Sequence, residues 1–345
     1  MTTATQTSRT TAKTAQTATA SRDLESNAEK GRIEVRAPMQ ALVDEVAKVM
    51  VGKRRVLELV AVCSITEGAH ILFEDLPGLG KSVLAATFAR ASGTVFKRVQ
   101  FTPDLLPSDI TGTYVLDQKQ GKFDFHEGPI FTNFLLADEI NRASPKTQSA
   151  LLEAMAEKQV TVEGTTHKLP KPFLVMATQN PIEQEGTYPL PEAQLDRFMV
   201  KTSVGQPNLE EEIEILDRRN TRMKDDFDVQ PVTTSERLVA IQRAVEHVKV
   251  DHALVQYIGR IVLATRHHPD VHAGASPRGS LAILKLAKSQ AAMRGRSFVV
   301  PDDIRELVQP VLAHRIILKP EPRIRGVTTA DVLRDILKDI AVPKA

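Results

Sequence analysis

The sequence predicts an α/β domain built on a parallel β-sheet, followed by an all-helical domain. Three short apolar runs, each typical of a buried strand, lie at residues 71–73, 134–137 and 173–176. Amphipathic helical patterns separate these runs, and strands that alternate with helices indicate a parallel sheet. After Gly205 the strand-like runs stop and helical patterns dominate. Because ligands of such sheets bind at the carboxyl ends of the strands, the candidate site residues are sought there.

The composition is close to the average of globular proteins. The chain has 345 residues, 42% hydrophobic and 26% charged, which favours about two domains and excludes a disordered chain, a collagen and a coiled coil. Lysine and arginine number 45 against 43 aspartates and glutamates, so the surface as a whole is not a footprint for nucleic acid or membrane. The single cysteine excludes an intrachain disulfide. No apolar run approaches about 18 residues, so we expect no membrane span and a cytoplasmic protein.

Three parts are predicted along the chain. Residues 1–35 form a tail rich in Thr, Ala and Ser, and its first twenty residues contain no Leu, Ile, Val or Phe. Such a stretch cannot bury enough apolar surface to offset its ordering entropy, so we expect a flexible polar tail. A transit peptide is the alternative, which the missing apolar face disfavours. Residues 36–205 form the α/β domain, and residues 206–345 form the helical domain.

Helices are predicted where apolar residues recur at spacings of three and four. Four of them belong to the α/β domain, at about residues 39–50, 54–66, 82–91 and 145–157. Six more follow in the helical domain, at residues 209–219, 235–248, 251–267, 277–294, 301–313 and 329–340. Ser276 before Pro277 is a favourable start for one of these helices.

A phosphate-binding loop is predicted between the first strand and the next helix. The run Leu76-Pro77-Gly78-Leu79-Gly80-Lys81-Ser82 fits the P-loop pattern G-x-x-x-x-G-K-[ST], except that Asp75 stands at the first position. Glycines let backbone N–H groups turn toward phosphate oxygens, and the helix N-terminus adds a positive dipole end. Lys81 is expected at the β- and γ-phosphates of a nucleotide and Ser82 at Mg²⁺. Asp75 is expected to preserve the turn because aspartate tolerates a left-handed backbone. The alternative is a glycine-rich turn with an exposed lysine.

Two acidic residues follow the second predicted strand. Asp138 is the candidate ligand of Mg²⁺, and Glu139 is the candidate base that orients and deprotonates the attacking water. The alternative is an ordinary solvated helix cap. Asn180 follows the third strand, where a neutral amide can hold the attacking water, and Thr178 or Gln179 could substitute for it.

Two arginines are candidates for contact with the γ-phosphate. Arg278 lies in the first turn of a predicted helix, where a cation opposes the helix dipole by about 0.3–1 kcal/mol. Such a position favours an anionic ligand nearby. Arg197 lies in Leu195-Asp196-Arg197-Phe198. A surface ion pair is the alternative for each of them.

Taken together, these motifs resemble those of the AAA+ ATPases, and within them the MoxR family. The resemblance covers about residues 38–340 and includes, in order, Val51-Gly52, residues 74–82, residues 100–109, Gly128-Pro129-Ile130-Phe131, residues 135–143, residues 146–155, Thr178-Gln179-Asn180-Pro181, residues 188–198, and Gly274-Ala275-Ser276-Pro277-Arg278. Asp75 in place of glycine is usual in that family. The resemblance implies a P-loop core with a helical lid, in which Val51 and Gly52 join residues 75–82 at the nucleotide.

The resemblance also implies roles for the remaining polar residues. Asn180 looks like sensor 1, and Arg197 looks like an arginine finger that acts on ATP bound to the neighbouring subunit. That role requires a homo-oligomeric ring, typically a hexamer. Arg278 looks like sensor 2, acting in cis or in trans. Two hairpins, at residues 113–125 and 159–169, resemble those that face the pore in related proteins and contact the substrate.

The leading functional prediction is ATP hydrolysis with Mg²⁺, coupled to chaperone-like remodelling of client proteins. By resemblance, partners with von Willebrand factor A domains are expected. A nucleic-acid motor or loader is a second possibility, which the near-neutral charge and the lack of a recognisable DNA-binding module disfavour. The chain could also be the ATPase subunit of a metal chelatase. A non-hydrolysing ATP switch is a fourth possibility, and Glu139 argues against it.

Overall fold

All ten predicted helices are observed, and three short helices, at residues 107–111, 192–195 and 320–324, were not predicted. The structure, a computed structural model, describes residues 33–119, 121–181 and 187–343, together with residues 23, 24, 26, 27 and 30. The predicted tail, residues 1–35, therefore lies mostly outside the described residues. The helices are α1 (Arg36–Ala47), α2 (Arg54–Ser64), α3 (Lys81–Ala91), α4 (Pro107–Thr111), α5 (Pro145–Glu157), α6 (Glu192–Leu195), α7 (Leu209–Arg222), α8 (Ser235–Val245), α9 (His252–His267), α10 (Pro277–Met293), α11 (Pro301–Leu312), α12 (Pro320–Ile324) and α13 (Thr329–Asp339).

A five-stranded, fully parallel sheet forms the centre of the first part of the chain. Its strands are β1 (Ile71–Glu74), β2 (Phe96–Gln100), β5 (Phe134–Asp138), β8 (Leu174–Gln179) and β9 (Val200–Thr202), in the spatial order β2-β5-β8-β1-β9. The three predicted strands are confirmed. They are the three inner strands, whose apolar residues are buried.

The two edge strands were not predicted. β2 carries the charged pair Lys97 and Arg98, and only Val99 of this strand is buried. β9 has three residues, of which only Val200 is buried. Edge strands have a solvated side and therefore do not show the continuous apolar runs of central strands. β8 also continues three residues beyond its predicted end, through Thr178 and Gln179.

Two antiparallel hairpins project from the sheet domain, and both were predicted. The first pairs β3 (Gly112–Asp117) with β4 (Lys122–Glu127), and the second pairs β6 (Gln159–Val162) with β7 (Thr165–Lys168). The His167 ring stacks on Phe125 with centroids 3.9 Å apart. This contact joins the two hairpins to each other.

Helices α7–α13 follow the last strand of the sheet and are called the lid below, with one departure from the all-helical prediction. A short antiparallel ladder pairs β10 (Val271–Ala273) with β11 (Ile317–Leu318). Strands of two or three residues are too short to show a period in the sequence. Among the described residues, no helix has the length and apolar character needed to cross a membrane.

Two hydrophobic clusters cover the two faces of the sheet. On one face, Phe73 and Leu136 join α1, α2, α3 and the lid helices in a single cluster. On the other face, Leu135 and Val175 pack against α5 and the fully buried Phe198. Helix α10 of the lid packs directly against α1 and α2, and α11 packs against β9, so the lid contacts both these helices and one edge of the sheet.

Candidate active site

The predicted phosphate loop joins the end of β1 to the start of α3. Lys81 is the first residue of α3, and Gly78 and Gly80 have φ values of +85° and +76°. Positive values of this kind strain residues that carry a side chain, so both positions favour glycine. Pro77 and Gly78 are exposed at the tip of the loop, and Leu79 is half-buried. The loop thus presents its backbone at a helix N-terminus, an arrangement suited to phosphate oxygens.

The Lys81 side chain folds back over this loop. Its Nζ donates to the carbonyl oxygens of Asp75 and Leu76 at 3.0 and 2.9 Å. Partial burial lowers the pKa of Lys81, and the carboxylates of Asp75, Asp138 and Glu139 act in the opposite direction. The ammonium group therefore lies close to both the loop and the two acids that follow β5.

Asp75 has a different role from the one expected. It is not among the described non-glycine residues with positive φ, so the loop needs no left-handed residue at this position. Its buried carboxylate accepts hydrogen bonds from the Ser203 hydroxyl, from Val204 N–H at 2.7 Å and from Gly205 N–H at 3.2 Å. Asp75 therefore fastens the start of the phosphate loop to the segment that follows β9.

Val51 and Gly52 lie between the phosphate loop and the first helix of the lid. Val51 is buried, and a Cβ added at Gly80 would lie 3.6 Å from Met50 Cε, the side chain just before Val51. Gly52 has a φ of +70°, and a Cβ there would lie 1.9 Å from Glu211 Oε1 of α7. The space for a side chain at Gly52 is thus already filled by Glu211.

The Asp138 carboxylate lies across from Ser82, as the motif predicts. Ser82 Oγ donates to Asp138 Oδ2 at 3.4 Å. The same oxygen accepts from Arg98 Nη2 at 2.6 Å and from Arg98 Nε at 3.1 Å. Thr178 Oγ1 donates to the other oxygen, Oδ1, at 2.6 Å. A hydroxyl and a carboxylate that share one small region are ligands suited to Mg²⁺.

Glu139 follows directly, in a left-handed conformation with φ 55° and ψ 48°. This conformation costs about 1–3 kcal/mol for a residue with a side chain. The Glu139 N–H donates to Thr178 Oγ1 at 2.8 Å, which helps to hold it. Its carboxylate oxygen Oε2 accepts from Gln100 Nε2 at 2.7 Å and from Arg142 Nη1 at 2.8 Å.

Asn180 lies in the same region because β8 runs between β1 and β5. The phosphate loop leaves β1, the acidic pair leaves β5, and Asn180 follows β8 at the same edge of the sheet. Asn180 is buried, and its carbonyl accepts from Asn141 Nδ2 at 3.5 Å. The structure thus brings together the phosphate loop, Asp138, Glu139 and Asn180 at one end of the parallel sheet.

The two candidate arginines lie elsewhere. Arg197 Nη1 donates to the Leu152 carbonyl of α5 at 2.6 Å, and Arg278 Nε lies 3.9 Å from Asp196 Oδ2. Within the described part of the chain, the hydrogen bonds and ion pairs of these two arginines do not reach residues 75–82, Asp138 or Glu139. Arg197 and Arg278 are distant in the sequence. Asp196, the residue before Arg197, links them through its contacts with Arg278 and Ser276.

Sequence reasoning missed Gln100 and Arg98 as partners of the acidic pair. Both lie on β2, which was not predicted as a strand, and the register of the sheet places Gln100 beside Asp138. The only sequence signal was that residues 100–109 belong to the MoxR resemblance, which assigned no role to Gln100.

Sequence reasoning also missed Arg315. Its side chain is only 3% exposed, and its Nε donates to Asp196 Oδ1 at 2.7 Å. Burial lowers the pKa of Arg315, and the charge of Asp196 opposes that shift. Arg315 lies in no motif that carries known chemistry, so no pattern in the sequence pointed to it.

Comparisons with known proteins agree with this geometry. A family model described as "ATPase family associated with various cellular activities (AAA)" matches residues 70–200, and one described as "AAA lid domain" matches residues 263–336. The YeaC protein of Bacillus subtilis is 47% identical over 301 residues, which cover 87% of this chain and 93% of that protein. The chaperone MoxR1 of Mycobacterium tuberculosis is 43% identical over 315 residues, which cover 89% of this chain and 82% of that protein.

A solved structure gives the same result for the fold. A crystal structure of a candidate ATPase from Cytophaga hutchinsonii superposes with a TM-score of 0.83 at 39% identity, covering 94% of this chain and 99% of that chain. The phosphate loop, the acidic pair, the lid and these relatives agree, and the chain belongs to the MoxR family of AAA+ ATPases.

Proposed function

We propose that this ATPase works as a ring of identical subunits that hydrolyses ATP with Mg²⁺ to remodel client proteins. The observation that carries the catalytic part is the convergence of the phosphate loop, Asp138, Glu139 and Asn180 at the ends of three adjacent strands. ATP as the substrate favours a cytoplasmic site of action.

The phosphate loop and its neighbours would bind the nucleotide. The backbone of residues 75–80 and the Lys81 ammonium would hold the phosphates, and Val51 and Gly52 would lie beside the rest of ATP. Ser82 and Asp138 would hold Mg²⁺, which neutralises phosphate charge when it is bound. The 3.4 Å separation of their oxygens supports this pairing. Lys81 would exchange the two loop carbonyls for phosphate oxygens.

Glu139 would take the proton of the attacking water. Its carboxylate is only partly buried, with 24% of the side chain exposed, so water can reach it. Gln100 and Arg142 both donate to the same oxygen, Oε2, so its two lone pairs are not available to the water. We therefore expect Glu139 to act fully only when at least one of these donors moves away.

Of the three polar residues Thr178, Gln179 and Asn180, the last is the best candidate to hold the attacking water. Thr178 Oγ1 already donates to Asp138 and accepts from Glu139 N–H. Gln179 follows Thr178 on β8, and successive side chains of a strand point to opposite faces of the sheet. Gln179 therefore faces the α5 side with Val175 and Ala177, which belong to the second cluster.

Arg197 and Arg278 would act together on the nucleotide of a neighbouring subunit. Among the described residues, the partners of both lie away from their own phosphate loop, since Arg197 donates to the Leu152 carbonyl and Arg278 lies beside Asp196. This arrangement favours the trans alternative for Arg278 as well as for Arg197. A ring is then required, because each nucleotide needs the arginines of the next subunit.

Mixing experiments test this arrangement. Arg197→Ala is expected to lower turnover by roughly 10³–10⁵-fold, the range of an arginine finger. Adding Lys81→Ala subunits, which keep Arg197 but lack a working phosphate loop, is expected to restore activity to the Arg197→Ala subunits. The absence of rescue in mixed rings of confirmed size would contradict the trans assignment.

The client part of the proposal is supported by the relative named as a chaperone and by the β3–β4 hairpin. The tip of this hairpin exposes Val115, Leu116 and Phe123, the last with 67% of its surface accessible. Exposed apolar side chains on a projecting hairpin suit contact with a polypeptide. Affinity capture with Glu139→Gln in the presence of ATP, followed by identification of the bound proteins, tests both clients and partners with von Willebrand factor A domains.

A nucleic-acid motor is the second candidate, and a metal-chelatase subunit is the third. A net charge of +2 gives no strong electrostatic attraction for phosphate backbones. Tight DNA binding that weakens steeply with salt would favour the motor over the protein remodeller.

A further inference from the structure

Arg315 makes several contacts with residues 196–199, which we call the arginine segment because it contains Arg197. Besides its bond to the Asp196 carboxylate, the Arg315 guanidinium donates through Nη2 to the carbonyl oxygens of Asp196 at 3.2 Å and Phe198 at 2.8 Å. Its Nη1 donates to the Met199 carbonyl at 3.2 Å. One lid side chain therefore holds three peptide carbonyls around Arg197 and a carboxylate.

The arginine segment has further hydrogen-bonded supports, since Met199 N–H donates to the His70 carbonyl at 2.9 Å and His314 Nε2 lies 3.0 Å from the Phe198 carbonyl oxygen. Helix α6, which leads into it, has four residues and none of them is buried. Phe198 is fully buried and anchors the segment on the α5 side of the sheet. The Arg197 side chain is held at its tip, where it donates to the Leu152 carbonyl. Among the described side chains, Arg315 nevertheless makes the most hydrogen bonds to the backbone on both sides of Arg197.

Arg315 also lies against the start of α10, which carries Arg278. A Cβ added at Gly279, the next residue, would lie 3.4 Å from Arg315 Cδ and 2.8 Å from Leu312 Cδ2. Ser276, the residue that caps α10, donates through Oγ to Asp196 Oδ2 at 3.1 Å. Arg315 and Asp196 thus link both arginine-bearing segments, one in the core and one in the lid.

We propose that Arg315, paired with Asp196, is a positioning residue that fixes Arg197 and Arg278 relative to each other, so that one subunit presents both arginines as a unit to its neighbour's nucleotide. This inference rests on the proposed trans role of Arg197. Only arginine offers five donors in a rigid fork, which matches one carboxylate, the three carbonyls of the arginine segment and the carbonyl of Val311. A buried ion pair is weak evidence for stability, since apolar residues can stabilise a core equally well. The geometry of the fork therefore points to positioning.

Two variants test the role. Arg315→Lys keeps the charge but removes two of the five donors and the planar fork, and Asp196→Asn keeps the size but removes the carboxylate charge. Each is expected to lower kcat about 10–100-fold, because a displacement of about 1 Å can cost 10²-fold in rate. The affinity for ATP, measured with a fluorescent ATP analogue, is expected to stay within about twofold, because neither residue contacts the phosphate loop of its own subunit.

A matched control uses another buried ion pair of the lid. Arg296 donates to both oxygens of Asp303 at 2.8 and 2.7 Å, and Asp303 is fully buried. Arg296→Lys disturbs this pair without touching the arginine segment. It is expected to lower the melting temperature as Arg315→Lys does, with kcat unchanged.

Mixed rings separate positioning from general damage. Lys81→Ala subunits carry intact Arg197, Arg278 and Arg315, so mixing them with Arg315→Lys or Asp196→Asn subunits is expected to restore turnover. Failure of both variants to be rescued, while Arg197→Ala is rescued under the same conditions, overturns the positioning role alone. If Arg197→Ala is not rescued either, the proposed trans function is wrong and this inference falls with it. Normal kcat in folded Asp196→Asn and Arg315→Lys rings also overturns it.

Discussion

The side-chain amide of Gln100 donates to Glu139 Oε2 over 2.7 Å and so connects the end of β2 to the acid that follows β5. Arg142 holds the same oxygen from the other direction at 2.8 Å. The two donors occupy both lone-pair positions of Oε2, so this oxygen has no position left for the attacking water. The resting site therefore contains its candidate base in a restrained form.

Removing the amide is expected to release this restraint. Gln100→Ala should raise basal ATP turnover about tenfold, the factor that corresponds to about 1.4 kcal/mol, close to the lower limit for one hydrogen bond to a charged group. Phosphate release under saturating ATP measures it, with the exposed Gln256→Ala of α9 as control. Turnover equal to or below that of the unmodified protein would show that Gln100 does not restrain Glu139.

Glu139→Gln is expected to separate ATP binding from hydrolysis. The amide cannot take up a proton, so turnover should fall by about 10²–10⁴-fold while ATP affinity stays close to normal. Glu153→Gln, an exposed position on α5, is the matched control and should hydrolyse ATP normally. The assignment of the base is wrong if Glu139→Gln keeps near-normal turnover.

Lys81→Ala is expected to abolish useful ATP binding. The ammonium group is the only side-chain cation placed within the phosphate loop of residues 75–82, all of which the structure describes. Its loss should raise the Kd for ATP by roughly 10²-fold or more, which corresponds to about 2.7 kcal/mol. Calorimetric titration measures this, with the exposed Lys338→Ala as control. Unchanged affinity would refute the role of Lys81.

Asp75→Gly would complete the general P-loop pattern, yet we expect it to destabilise the protein. It leaves Ser203 Oγ, Val204 N–H and Gly205 N–H without their acceptor, at a cost of about 1–3 kcal/mol per buried group left unpaired. Urea unfolding should show the loss, and Asp75→Asn, which keeps one acceptor oxygen, should lose less. Equal stability of Asp75→Gly and the unmodified protein would show that these bonds do not matter.

Stability is expected to fall in mild acid because of His70. This residue is 2% exposed; its Nδ1 accepts from Val175 N–H at 3.0 Å, and its Nε2 donates to the Met155 carbonyl at 3.2 Å. Burial lowers the pKa of His70 from 6.5 to about 4. The unfolded chain therefore takes up a proton first, so the stabilisation is complete above about pH 6.5 and is lost as the pH falls toward 4.

The expected loss from His70 between pH 7.5 and pH 5 is about 2 kcal/mol. Urea unfolding at the two pH values measures it, and His70→Gln should show a smaller difference. Some pH dependence should persist in this variant, because burial and the charge of Arg315 lower the pKa of His314 to about 3. The His70 assignment fails if the variant and the unmodified protein lose the same stability.

The sequence predicted those features of the fold and the site that depend on residues close together in the chain. The apolar runs of β1, β5 and β8 and the phosphate loop each depend on residues within one short window, and the structure places them as expected. The missed partnerships cross long stretches of chain. Gln100 and Glu139 are 39 residues apart, Asp196 and Arg315 are 119 apart, and Asp75 and Ser203 are 128 apart. Nothing in a local pattern shows that such residues meet.

Edge position explains the remaining differences. β2 and β9 expose part of their residues, so their sequences do not show an apolar run. The sequence-based expectation for Asp75 concerned only whether aspartate tolerates a left-handed backbone. In the structure, the Asp75 carboxylate matters instead, because it accepts hydrogen bonds from Ser203, Val204 and Gly205.

The hydrophobic cluster shared by the sheet, α1, α2 and the lid limits how this chain can move. Opening even about 400 Å² of such an interface to water would cost about 10 kcal/mol at 25 cal/mol per Å², which is comparable to the stability of a whole domain. We therefore expect the sheet domain and the lid to unfold in one calorimetric transition and to move together as one rigid body. Conformational changes driven by ATP would then occur at the interfaces between subunits, where Arg197 and Arg278 are presented, and not at a hinge within one chain.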